Sequence, residues 1–230
     1  MRCFLGMLCL GGMIFLHGAR GESAQDGNYV PEIARSLVAE GNQAFEEGRY
    51  PAAKEAYEKV LKLVPGNLLG LINLGSVYYR MGDTKNAERV LLDAIRKRLE
   101  TAPAWTTLGL VYLDANQLDE AIGAFAQAAL YDARNPKVHN YFGVAIGRKG
   151  WRDGAEAELR RALEIDPEYG EAHFNLAVFY LERTPPAIEL ARRHYKRARE
   201  LGMEADPILE KRLASDASQE AIQKTEEGRD

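Results

Sequence analysis

Apolar and small side chains recur along most of this chain at intervals of three and four, the period of an α-helix with one buried face. They fall in paired stretches separated by short polar turns such as Glu47-Gly48-Arg49 and Met81-Gly82-Asp83, a pattern that predicts antiparallel helical hairpins rather than strands. The hairpins repeat. A shift of 34 positions aligns Gly41, Gly75, Gly109, Gly143 and Ala177, together with Leu74, Leu108, Phe142 and Leu176 and with Tyr78, Tyr112, Ile146 and Tyr180. In the second stretch of each unit Ala53, Ala87, Ala121 and Ala155 coincide, followed by Tyr57, Leu91, Phe125 and Leu159. Small residues at the crossing let two helices approach while the bulky neighbour fills the adjacent space. One hairpin cannot cover its own apolar face, so successive hairpins are expected to stack.

The period lays out five units, 34–67, 68–101, 102–135, 136–169 and 170–205. Pro65 and Pro167 stop the second helix of the first and fourth units. In the fifth, Thr184-Pro185-Pro186 fills the turn, and Ala191, Tyr195 and Ala198 regain the spacing only after two extra residues, so this turn is expected to be rigid and to stand out. Asp206-Pro207 can open a capping helix over 206–214 whose Ile208, Leu209 and Leu213 cover the last hairpin, and 215–230 reads as a polar tail.

The third unit reads Trp105-x-x-Leu108-Gly109-x-x-Tyr112 with Ala121-x-x-x-Phe125 downstream, and on these residues the chain resembles the tetratricopeptide repeat family. The resemblance implies an all-α fold, a right-handed superhelical solenoid of stacked antiparallel hairpins, acting as a non-catalytic scaffold that binds a protein or peptide. Leu99 and Ala133 stand where the family places proline, and the first unit has Glu40 and Ala44 where the others carry larger residues. A terminal unit facing solvent on one side can be polar there.

At the start of the chain, Met1-Arg2, an uncharged apolar run over 4–16 and a polar run from His17 follow the order of a secretory signal, in a stretch too short to span a bilayer comfortably. Ala19 and Gly21 suit cleavage ahead of Glu22, with 22–33 as a linker; the alternative is an uncleaved anchor that keeps the chain at a membrane. Gly6-Met7-Leu8 is a poor approach to a lipidated Cys9. The expected location is the periplasm or the exterior of a bacterial envelope. Lys and Arg total 30 against 34 Asp and Glu, a formal charge of −4, and removing 1–21 deletes Arg2 and Arg20 and so makes it −6. An acidic balance argues against nucleic acid as a partner. Both cysteines, Cys3 and Cys9, precede the repeats, which leaves the body without a thiol for a disulfide, a thiolate zinc site or a nucleophile.

No nucleophile elbow, His-Glu-x-x-His pair or phosphate loop occurs. His139 and His173 share the position of Trp105 and read as packing residues, and His194 stands among basic residues, so no catalytic, metal or cofactor site is expected. The candidate surface is the concave wall lined by the first helices. Helical phase places Asn42, Asn73, Tyr79, Lys137, Asn140, Tyr141, Arg148, Phe174 and Asn175 there, with Leu110, Val144 and Val178 among them. Amides can bond a peptide backbone and the rings offer apolar contact. One subclass of the resembled family holds an acidic chaperone tail in a clamp of Lys, Asn and Arg; Asn42 and Asn73 match it, but Val38, Pro103 and Thr107 replace its cations, so that activity is not carried over. A second candidate is a basic outer ridge of Arg160, Arg161, Arg192, Arg193, Lys196 and Arg197, open to an anionic partner or neutralised by nearby glutamates. Rival roles are a membrane-anchored assembly factor using that ridge, or an accessory subunit of an enzyme complex.

Overall fold

The computed structural model describes residues 31–214. The signal or anchor over 1–21, nearly all of the 22–33 linker and the tail over 215–230 lie outside the described residues. Those described contain no strand. The helices are α1 Glu32–Glu46, α2 Tyr50–Leu63, α3 Leu68–Arg80, α4 Thr84–Lys97, α5 Ala102–Asp114, α6 Leu118–Tyr131, α7 Pro136–Lys149, α8 Arg152–Ile165, α9 Gly170–Leu181 and α10 Ile188–Glu200. A further helical run covers 207–214.

Each odd-numbered helix packs against the even-numbered one that follows, and each even-numbered helix against the next hairpin. In the first four hairpins the crossing is set by the missing side chain of one glycine. A β-carbon on Gly109 would lie 2.6 Å from Cε1 of Phe125, itself fully buried. The four hairpin turns from α1 to α8 close by the same backbone bond, from residue i to i−5: Arg49 to Ala44, Asp83 to Tyr78, Gln117 to Tyr112 and Trp151 to Ile146. In the fifth hairpin the equivalent bond runs from Ala187 to Tyr180 at 2.9 Å, so the two extra residues loop out without changing how the helices meet. Between units, Asn67 and Asn135 cap α3 and α7 with side chains that accept from Gly70 and Lys137 backbone N–H groups.

The last three junctions, with or without proline, share a further device. Trp105 donates its indole N–H to the Leu99 carbonyl at 2.8 Å; His139 and His173 make the corresponding bonds to Ala133 and Pro167, each 3.1 Å. A ring nitrogen on the first helix thus pins the carbonyl six residues earlier. At the C-terminal end Leu209 and Leu213 are buried against α9 and α10, and the Tyr195 hydroxyl donates to Glu210 and accepts from the Asp206 backbone. Among the described residues no helix is long and apolar enough to cross a membrane.

Candidate functional site

Successive first helices touch one another directly, α3 with α5, α5 with α7 and α7 with α9, whereas among the described residues no two second helices are in comparable contact. The first helices therefore form the tighter, inner wall and the second helices the splayed outer one.

The inner wall is stitched by polar bonds from one unit to the next. The Asn73 amide donates to Asn42 Oδ1 at 3.0 Å, which also accepts from the Tyr57 hydroxyl at 2.6 Å. The Tyr79 hydroxyl donates to Asp114 at 2.8 Å. Arg148 donates to the Leu113 carbonyl at 3.0 Å and to Asn116 Oδ1 at 2.9 Å, and Asn175 donates to Asn140 Oδ1 at 2.8 Å. Asn140 and Tyr141 are only 2% and 6% exposed, and Asn73 and Phe174 each 8%. These four belong to the floor of the wall rather than to its solvent face. The amides expected to meet a ligand backbone instead join neighbouring helices to each other, because residues of equal phase on adjacent units stand side by side. Asn42, Tyr79, Lys137, Arg148 and Asn175 are half-buried at its surface.

Burial pushes the hydroxyls of Tyr79 and Tyr141 well above the usual tyrosine range, with Asp114 adding to the effect at Tyr79. Glu171, which accepts from the Tyr169 hydroxyl at 2.8 Å, has its carboxyl pushed up by burial; that hydrogen bond and Lys137 act against the rise. Between these polar groups runs a row of half-buried aliphatic residues, Leu110, Val144 and Val178, one per unit at equal phase. The floor is polar and internally bonded; the row along it is apolar.

Asp114, Asn116, Tyr169 and Glu171 were not singled out by sequence reasoning. The period does carry a signal for the first: Glu46, Arg80, Asp114, Arg148 and Glu182 are equivalent positions whose charge alternates in sign. Alternation at one phase is what neighbouring stacked units need in order not to repel.

On the outer wall the basic residues are largely paired. Arg160 meets Glu156 at 3.0 Å, Arg161 meets Glu164 at 2.8 Å, and Arg197 reaches Glu200 at 3.2 Å and Glu168 at 3.3 Å. Arg192 pairs with Glu189 and Lys196 lies 4.0 Å from Glu200. Arg193 makes no ion pair among the described residues. Among those residues no group of three or more His, Cys, Asp or Glu is placed to hold a metal ion.

Residues 72–138 and 148–207 match a family model described as tetratricopeptide repeat, and 41–82 match a second described as TPR repeat. The human protein O-mannosyl-transferase TMTC1 is 26% identical over 202 residues, 86% of this chain and 23% of that protein. A STIP1 homolog of Dictyostelium discoideum is 25% identical over 146 residues, 60% of this chain and 26% of that protein. The chain thus spans about a quarter of the length of these relatives. Among solved structures, TTC0263, a thermophilic TPR protein in Thermus thermophilus, superposes with a TM-score of 0.65 at 24% identity, covering 79% of this chain and 97% of that one. MamA from Desulfovibrio magneticus RS-1 gives 0.64 at 16% identity, covering 75% and 96%. Repeat period, glycine-gated hairpins and matched models agree: the chain belongs to the tetratricopeptide repeat family, whose all-α solenoid serves as a protein-interaction scaffold.

Proposed function

We propose that this protein is a non-catalytic adaptor that binds an extended segment of a partner protein along its concave wall. The observation that carries the reading is the aliphatic row of Leu110, Val144 and Val178, half-buried at equal phase on α5, α7 and α9. Adjacent packed helices lie about 8–10 Å apart. An extended chain advances roughly that far in three residues. A ligand running along the solenoid would therefore set every third side chain over one member of the row, with Lys137 and Arg148 at its edges. The outer ridge is less favoured, since five of its six cations are already matched by carboxylates. The leader-like segment over 1–21 supports work in a bacterial envelope, with Glu22 as the first residue of the mature chain.

Selection of peptides from a displayed random library on the purified chain tests the binding surface. Selected peptides should lose affinity roughly tenfold or more when Leu110 and Val144 are both changed to Glu, because a carboxylate placed on the row must be desolvated by the ligand. Affinity should be unchanged in Arg193→Glu/Lys196→Glu. The reverse result would move the site to the outer wall.

A further inference from the structure

The first-helix position that holds tryptophan in the third unit is histidine in the fourth and fifth. His139 is engaged at both nitrogens, by the Ala133 carbonyl at 3.1 Å and by Glu158 at 2.7 Å. His173 keeps the carbonyl tie, Nε2 to Pro167 at 3.1 Å, but its other nitrogen faces a second imidazole. Nδ1 of His173 and Nδ1 of His194 are 2.9 Å apart, with ring centroids separated by 5.1 Å. A carbonyl can only accept, so Nε2 of His173 carries hydrogen and Nδ1 of the neutral ring presents a bare lone pair. That backbone tie is the one that orients histidine ligands around metals. Two lone pairs aimed at one point are held together by a single proton.

We propose that His173 and His194 form a two-nitrogen site for a borderline divalent transition cation, nickel or zinc, which replaces the shared proton and ties α9 to α10. Metal–nitrogen bonds of about 2.0–2.1 Å at a tetrahedral angle separate the donors by about 3.3 Å, so the rings need part by only a few tenths of an ångström. Both residues are half-buried rather than sealed, and water completes the coordination. The site differs from a structural metal centre in having no third protein ligand among the described residues. The proton between the rings moves to Nε2 of His194, so the neutral pair takes the cation without net proton release.

The surroundings set its strength. His194 is faced by His173 and the Tyr180 ring from α9, by Arg160 and Glu156 from α8, and by Arg193 on its own helix. Burial, then His173, Arg160 and Arg193, hold the His194 imidazole below the usual histidine range. The two arginines also repel a metal cation. Glu156 offsets them, being held at 2.9 Å by the Tyr180 hydroxyl and at 3.0 Å by Arg160. The result is an exchangeable site rather than a permanent one.

Calorimetry with nickel chloride at about pH 7.5 tests this on the tag-free full-length chain with Cys3 and Cys9 changed to Ser so that no thiol competes. One nickel per chain is expected, displaced by zinc, weakened roughly 10–100-fold or more in His173→Gln and in His194→Gln and retained in His139→Gln. At a hundredfold excess over Kd, nickel should raise Tm by about 5–10 °C. Absence of stoichiometric binding, or binding that survives both substitutions, overturns the proposal. If a Gln variant loses helicity, the unsubstituted histidines decide. Nickel should slow diethyl pyrocarbonate modification of His173 and His194 relative to His17, and equal rates with and without metal reject the site.

Discussion

His139 and His194 are both tucked between helices, yet their partners give them opposite responses to pH. The Glu158 hydrogen bond, aided by the Ala133 carbonyl and opposed by burial, raises the His139 imidazole above 6.5. A base whose affinity for protons rises on folding stabilises the fold fully below its unfolded value, and this is lost as pH climbs through the folded value. His194 is depressed to about 4 from 6.5, so its contribution is full above 6.5 and is lost as pH falls toward 4. Urea midpoints measured from pH 4 to 8 should therefore separate the two. Relative to the parent chain, His139→Gln should lose part of its advantage on the side below about 6.5, and His194→Gln should flatten the decline between about 6.5 and 4. Parallel profiles for parent and variants would show that neither ring's titration is coupled to folding. His139 and His173 were evident at one position of the repeat; their partners were not, since Glu158 and His194 lie on other helices.

At the scale of the element, the hairpin depends on where a side chain is absent. The gap at Gly109 is filled by Phe125, and at the equivalent Gly75 a β-carbon would come 2.6 Å from Leu91. Gly109→Leu should overpack the crossing and cost about 1–3 kcal/mol, lowering Tm by several degrees in thermal melts followed by circular dichroism. Gly123 supplies the contrast. It sits in α6 with nothing within 4 Å of a would-be β-carbon, so Gly123→Ala should gain about 0.5–1 kcal/mol through helix propensity alone. Equal melting temperatures for the two variants would mean that the small-residue crossing is not what limits the hairpin. This much was legible in the sequence, because the glycine and its bulky partner recur at one spacing.

The molecule as a whole is a line of units, each in contact only with its neighbours, so damage at one end should stay there. Leu209 and Leu213 are buried on the last hairpin, Arg212 donates to the Leu181 carbonyl at 2.9 Å, and Arg192 donates to the Leu213 carbonyl at 3.3 Å. Changing Leu209 and Leu213 together to Ala should remove about 2–5 kcal/mol per site from that end. Hydrogen exchange should then accelerate in α9 and α10 while α1 and α2 keep their protection. Uniform acceleration along the chain would instead mean that the solenoid opens as one cooperative body.

The sequence by itself determined the helical hairpin, its number of copies, the small residues at each crossing and which wall of the solenoid each helix lines. Those follow from local periodicity, which repeats because every unit solves the same packing problem. Only the tertiary structure decided that Asn73 bonds Asn42, that Asn175 bonds Asn140, that Arg148 reaches back to Leu113 and Asn116, and that His173 meets His194. Such pairs join positions on different helices, and whether they touch depends on the twist between stacked units and on side-chain rotamers. A period names the face; the distance between faces is set by the assembled core.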